Sequence, residues 1–374
     1  MQTDLRFARN VILKGCALFL IANLLFAWSY PMPALGRVSI YNQLVPGRLR
    51  LPYGDDPSRA YNLSLYNLEA MFASHEIAAR PKPADEYRVI LIGDSATWGF
   101  LLPANHTLSA SLNASAGTIA GKSVHYYNLG YPVMSLAKDL LLLSYAQSYQ
   151  PDLIVWLVTL ESFPYDKQLF PPLLHNNPLP LTRLIADYQL KLDPNDPALV
   201  RPDFWQRTLV GARRPLADLF RLQLYGVLWA ATGIDQDIPQ SYTPHQEDLA
   251  NDLSFHNLTP PTLGETDLAF DVLSAGVKLA QPAPVLLINE PMFISDGQNS
   301  DLRYNSFYPR WAYDQYHELL NSRAVANNWH YLDLWDSIAP DEFTDTPVHL
   351  TPNGMKQLAK VVGEEVVKFG SQGN

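Results

Sequence analysis

Apolar positions along this chain fall into three kinds of run. The first is a single long block. From Val11 to Tyr30 nearly every residue is apolar, the polar breaks being Lys14, Asn23 and Ser29. About 20 mainly apolar residues suffice to cross a bilayer. Arg6 and Arg9 precede the block, Lys14 can snorkel to one headgroup layer, and Trp28 and Tyr30 suit the opposite interface. The pattern predicts a transmembrane anchor over 11–30, residues 1–10 in the cytoplasm and the body outside it. A cleaved signal peptide is the alternative reading, but no small-x-small site follows the block. Leu13, Lys14, Gly15 and Cys16 imitate a lipoprotein box, yet the apolar run follows this cysteine instead of preceding it.

The second kind is short and solidly apolar, the mark of a buried strand: 87–92, 122–129, 152–158, 285–289 and 329–334. The third has the helical period: 108–116, 136–148, 270–280, 310–327 and 354–369. The two kinds alternate, and 152–158 is apolar on both faces. That predicts a three-layer α/β/α domain over 86–374 with a mainly parallel five-stranded sheet. Residues 31–85, rich in Pro, Tyr and Asn with a helical patch at 65–79, read as a membrane-proximal stalk and lead-in. Between 164 and 265 the alternation stops. Prolines, scattered aromatics and helical pieces such as 204–231 read there as an inserted cap or small subdomain.

Composition narrows the function. A chain of 374 residues, 47% hydrophobic and 17% charged, can build a large core. A formal net charge of -10 argues against nucleic acid as a partner. The single cysteine, Cys16, excludes an internal disulfide and a cysteine-based metal site. No metal cluster, phosphate-binding glycine loop or dinucleotide fingerprint is present, so no cofactor and no metal are expected.

The candidate chemistry sits at strand ends. Gly93, Asp94 and Ser95 close the first strand, and Gly99 follows. A hydroxyl at the C-terminal end of a parallel strand is where open α/β sheets present ligands. A serine there also commonly caps a helix. Far downstream, His349 follows Asp345 and precedes Leu350, Thr351, Pro352, Asn353 and Gly354. Ser95 as nucleophile, His349 as base and Asp345 as its orienting carboxylate make up the three roles a hydroxyl nucleophile needs. Asp341 and Glu342 are the alternatives to Asp345.

On these residues the chain resembles the SGNH, or GDSL-type, hydrolase superfamily. The first block is matched by Gly93, Asp94, Ser95 and Gly99, the second by Asn128, Leu129 and Gly130, and the last by His349 with its trailing residues. The resemblance covers about 86–160 and 280–370. It implies an SGNH or flavodoxin-like sheet and attack by Ser95 on an ester carbonyl. It also implies an oxyanion hole built in part from the Ser95 and Gly130 N–H groups, and a structural role for Gly93 and Asp94 in the turn. Three departures are visible. Thr159, Leu160, Glu161 and Ser162 stand where the family has Gly-x-Asn-Asp, Asp345 lies four rather than three residues before His349, and Val133 stands near a position often held by glycine. The missing donor is then expected from a protonated Glu161 at the cleft floor, or from Ser162 or Asn128. Glu290 with Pro291, and the Asp301 to Asn305 loop, are either cleft residues or capped loops with solvated charge. In layout the chain is similar to the membrane-anchored SGNH-like proteins that work beside membrane-bound O-acyltransferases. That implies acyl transfer to or from a cell-envelope glycan, a possible partner of that kind, or a scaffold that has lost its chemistry.

Overall fold

A computed structural model gives residues 2–40, 42, 47–53, 67–232, 238, 240–241, 243–261 and 263–372. Six strands form one sheet: β1 (Glu86–Ile92), β2 (Thr118–Ile119), β3 (Lys122–Asn128), β4 (Leu153–Val158), β5 (Val285–Asn289) and β6 (His330–Asp333). Their order is β2-β3-β1-β4-β5-β6. The five strands expected from the apolar runs pair in parallel. β2 adds a short antiparallel edge on β3, turned through Ala120 and Gly121, both at positive φ. Two residues carry no apolar period, so no pattern marks β2 in advance; the paired left-handed turn is what folds it back.

The sheet is buried on both faces, as the apolar runs require. Ile90, Ile92, Trp156, Val158 and Leu287 face one layer, containing the helices Leu136–Ala146, Phe270–Ala280 and Arg310–Ala326. Val89, Leu91, Val155, Leu157 and Ile288 face the other, against Leu108–Ala114 and Pro352–Gln372. The chain leaves β1 toward β3 and returns to β4 on its other side. The C-terminal end of β1 is therefore the topological switch point, where neighbouring loops diverge and leave a crevice.

Two boundaries need correction. The described parts of 31–85 are not a stalk, because Leu51, Leu68, Met71, Phe72 and Ile77 belong to the main core. Arg50 is fully buried, donating from Nη1 to Gly99 O at 2.8 Å and Leu102 O at 3.0 Å while lying over the Trp98 ring. Residues 41, 43–46 and 54–66 of that stretch lie outside the described residues. The inserted stretch is also not one cap. Leu173, Leu174, Leu181, Ile185 and Leu199 extend the main core. Helix Arg213–Thr232 packs instead against Phe26, Tyr30 and Met32.

At the chain start, Gln2–Ser29 is one helix, and Leu5–Ser29 is long and apolar enough to cross a membrane.

Gly276 marks a close approach of helix to sheet, since a Cβ there would fall inside the ring of the fully buried Trp156 on β4. We expect Gly276→Ala to destabilise the fold by about 1–3 kcal/mol through overpacking. Urea unfolding of the variant beside the wild type measures this, and an unchanged midpoint would contradict the close approach.

Candidate active site

The nucleophile turn follows from local chemistry. Asp94 caps the short helix Ser95–Trp98, its Oδ1 accepting from Ala96 N–H at 2.7 Å, and Gly99 ends that helix at φ 87°. Ser95 occupies the first helical position, where backbone N–H groups have no intrahelical acceptor. Ser95 is half-buried at the switch point.

His349 meets it across 254 residues of sequence. His349 Nε2 lies 2.8 Å from Ser95 Oγ, and Nδ1 lies 2.8 Å from Asp345 Oδ1. An ionised Asp345 accepts from Nδ1–H, which leaves Nε2 as the lone-pair site for the serine proton. The extra residue between Asp345 and His349 is absorbed by a closed turn. Thr344 N–H and its hydroxyl both donate to His349 O, Thr346 Oγ1 accepts from His349 N–H, and Pro347 O accepts from Phe293 N–H. Burial alone would raise the Asp345 carboxyl. The hydrogen bond and charge of His349, with the Thr344 hydroxyl, outweigh it and hold the pKa below the usual value. Phe100 packs on the imidazole at 5.2 Å. The alternatives to Asp345 fall away. Asp341 is exposed, and Glu342 takes bonds from Thr351 and Asn353 at the start of the last helix.

The oxyanion side departs from expectation. Gly130 N–H already donates to Asn128 Oδ1 at 3.1 Å, and Asn128 Nδ2 donates to Thr97 O and Trp98 O. Neither is therefore a free donor. Together they fasten the loop after β3 to the nucleophile helix. A Cβ on Gly130 would sit 2.7 Å from Trp98 N, so only glycine permits the contact. Glu161 is engaged as well. Lys167 pairs with its Oε1 at 3.0 Å and His256 Nε2 with its Oε2 at 3.1 Å. The Thr159 hydroxyl, where the family has its third block, bonds Tyr308 OH at 3.0 Å. Of the expected set, Ser95 N–H and the buried Ser162 hydroxyl remain. Val133, near the position often held by glycine, stands at φ 77°, a strained conformation for a β-branched residue.

Beneath the turn lies a buried ionic group that no local motif announces. Lys138 has no exposure; its Nζ donates to Gly93 O at 2.8 Å and Tyr131 O at 2.7 Å and pairs with Asp139 Oδ1 at 2.6 Å. One signal was available: Lys138 and Asp139 interrupt an otherwise apolar helical run. Glu290, at the end of β5, is buried with neither carboxyl oxygen receiving a donor. Burial, and then the facing Asp94 carboxylate, push its pKa well above the ordinary carboxylate value. That shift favours the neutral carboxyl of Glu290, which faces a buried Asp94 Oδ2 that has no other donor. Glu290 lies under the catalytic turn, not in the cleft. The Asp301 to Asn305 loop is likewise internal at Arg303 and Asn305: Arg303 donates to Asp252 O, Asn305 O and Ser306 O, and Asn305 to Phe293 O.

Fold and site together define a Ser–His–Asp centre at the switch point of an α/β/α sheet, with the residues that carry the SGNH or GDSL-type resemblance brought to one place. No protein-family model matches the chain, and no curated protein matches it. Among solved structures, it is similar to a member of the lipolytic G-D-S-L family from Veillonella parvula DSM 2008 (13% identity, 74% of this chain, 96% of that one, TM-score 0.37). It is similar to the lipase/acylhydrolase from Enterococcus faecalis (14%, 75% and 96%, TM-score 0.36). A third is a carbohydrate acetylesterase family member from Sinorhizobium meliloti (12%, 76% and 99%, TM-score 0.33). At these values the functional reading rests on the geometry of Ser95, His349 and Asp345, not on the neighbours.

The supports of the site are testable. Glu290→Gln keeps a neutral donor for Asp94 and should leave the reaction of Ser95 with an organophosphonate probe near the wild-type rate. Glu290→Leu should slow it by about 10²-fold through misplacement of the turn; equal rates in the two variants would remove the donor role.

His256 supplies a pH-dependent support. Its pKa is raised, first by the hydrogen bond with Glu161 and against the pull of burial, with Asp166 adding to the rise. While the carboxylates are ionised, the stabilisation is complete below the unfolded pKa of about 6.5 and fades as pH rises through the folded value. His256→Gln should therefore lower the melting temperature most in mildly acidic buffer, with the gap closing toward alkaline pH. Glu161→Gln should not extend the alkaline range of Ser95 reactivity.

Proposed function

We propose that this protein is a serine esterase or O-acyltransferase, anchored to the cell membrane by its N-terminal helix, that handles acyl esters through an acyl-Ser95 intermediate. The single observation that carries the reading is the linked chain of 2.8 Å contacts from Ser95 Oγ through His349 to Asp345. In this mechanism Ser95 Oγ attacks the ester carbonyl as its proton passes to His349 Nε2. The developing oxyanion faces Ser95 N–H at the start of the short helix. The tetrahedral intermediate collapses with release of the alcohol, which takes the proton from His349. A second hydroxyl, from water or a sugar, then attacks the acyl-serine with His349 again as base. Asp345, held ionised, stabilises the imidazolium in both steps.

The finer parts of the proposal are an exported orientation, acyl (most simply acetyl) esters of a cell-envelope glycan as substrate, and a membrane-bound O-acyltransferase as partner. The Arg6, Arg9 and Lys14 charges in the first half of the apolar helix support the orientation, and the resemblance in layout supports the substrate and partner. A second reading, a scaffold or partner subunit with impaired chemistry, is favoured by one observation: the Asn128, Gly130 and Glu161 groups are all engaged elsewhere.

A fluorophosphonate probe separates the two. The wild-type chain should label at Ser95, Ser95→Ala should not, and Asp345→Asn should slow hydrolysis of a short aryl ester by about 10²–10⁴-fold. Wild-type protein that fails to label would leave the scaffold reading standing. Adding candidate glycans to the ester assay distinguishes transfer from hydrolysis by the appearance of acylated sugar. Protease added to intact cells should digest the body; full protection would refute the exported orientation.

A further inference from the structure

The helix Arg213–Thr232 of the inserted stretch has two apolar faces, one more than a surface helix in water needs. Leu216, Leu219 and Leu222 pack, with Ala212, against Phe26, Tyr30 and Met32. A second stripe, spaced by four residues, faces outward: Phe220 is 75% exposed, Leu224 71% and Leu228 55%. Trp205, just before the helix, is 72% exposed.

What the other apolar face and the turn before it meet is the N-terminal helix itself. Val210 N–H donates to Asn23 Oδ1 at 3.2 Å, and Asn23 and Ala27 are buried on a helix whose other side chains are mostly open. This contact explains the one carboxamide in the apolar block, since Asn23 Nδ2 is satisfied by Phe19 O and its oxygen by the insertion. Gln223 donates to Val38 O and accepts from Ile40 N–H. Asn23 precedes the helix end at Ser29 by six residues, so the insertion reaches about 9 Å back along the helix axis. Interfacial helices bury their apolar face about 5–10 Å into the boundary between headgroups and acyl chains. The charge matches as well. Arg201, Arg207, Arg213, Arg214 and Arg221 stand against only Asp203 and Asp218 over this stretch, in a chain of net charge -10, although Arg214 and Arg221 both pair with Asp218. Local basic residues of this kind favour anionic headgroups, and an exposed tryptophan favours the interface.

We propose that residues 204–228 form a second membrane contact, with Trp205, Phe220, Leu224 and Leu228 seated in the headgroup–acyl boundary of the leaflet from which the N-terminal helix emerges. The proposal rests on the reading of that helix as a span. Two attachments fix the height and tilt of the sheet above the bilayer, where one helix would let the body swivel.

Cys16 is the only cysteine, so site-specific probes are clean once it is replaced. In a Cys16→Ser background, single variants Leu20→Cys, Phe220→Cys, Leu224→Cys and Val325→Cys carry an environment-sensitive nitrobenzoxadiazole label. The full chain is reconstituted into vesicles of phosphatidylcholine and phosphatidylglycerol, with and without lipids bearing a spin-label quencher near the headgroup or deep in the tail. Label at Leu20 should be blue-shifted and quenched by lipid, reporting the span. Label at Phe220 and Leu224 should be blue-shifted and quenched most by the headgroup-proximal spin label. Label at Val325, exposed on the Arg310–Ala326 helix, should be neither. Quenching at Leu20 without quenching at Phe220 and Leu224 would overturn the proposal and leave the span intact. No quenching at Leu20 would overturn the span reading, and the proposal with it. A blue shift at Leu224 that lipid quenchers do not touch would mean that protein, not lipid, covers the stripe, and would also overturn it.

Discussion

One buried ammonium holds together the loops on which the site depends. Lys138 Nζ, without solvent exposure, binds the carbonyls of Gly93 and Tyr131 and the carboxylate of Asp139. Gly93 opens the nucleophile turn, and Tyr131 follows the Gly130 contact that closes on the same turn. Removing a charge of this kind from water is costly, and removing only one partner is costlier still, because the other stays buried and uncompensated. Burial raises the Asp139 pKa, and Lys138 and the Trp156 indole N–H, at 3.1 Å, oppose that rise. The group links helix Leu136–Ala146 to three strands, β1, β3 and β4. Its geometry fixes where Ser95 stands.

Charge is sorted around Ser95 by environment. Asp345, reached by His349, Thr344 and some solvent, stays ionised and serves the imidazole. Glu290, cut off from water and facing Asp94, has its pKa pushed well above the ordinary carboxylate value. Two carboxyl groups of similar intrinsic acidity thus shift in opposite directions near one nucleophile, because one has donors and the other has none. The positive side chains near the site, Lys138 and Arg50, are engaged by backbone carbonyls. The electrostatics favour a catalytic imidazole that shuttles one proton, with little direct cationic help for an oxyanion.

The inserted stretch serves several places at once. Its first third thickens the core layer beside helix Leu136–Ala146. Its middle helix rests on the N-terminal helix. Its last part runs along the site: His245 N–H donates to Thr344 O, and Ser295 Oγ to Glu247 O, so the insertion braces the loop that carries Asp345 and His349. His256 then ties the same segment to the end of β4 through Glu161.

The apolar runs by themselves determined five parallel strands, the helices between them and the long N-terminal helix, because burial on both sheet faces leaves an unbroken apolar signature of the right length. Gly93, Asp94, Ser95, His349 and Asp345 were also legible, since a glycine-flanked serine after a strand and a late Asp–His pair are local features. Tertiary structure alone decided the rest. Whether Gly130 and Asn128 face an oxyanion or lock a turn depends on which acceptors lie nearby, and Thr97 O and Trp98 O come from the short helix after β1. Glu161 became half of a salt bridge because His256, 95 residues away, lies against it. The segment around Arg50 looked like a tether from its prolines and asparagines. It became core because a guanidinium in the middle of it finds two carbonyls and an indole ring that no local pattern announces. Local order is set by periodicity along the chain, whereas a polar group's role is set by its partners, and partners distant in sequence meet only when the fold has closed.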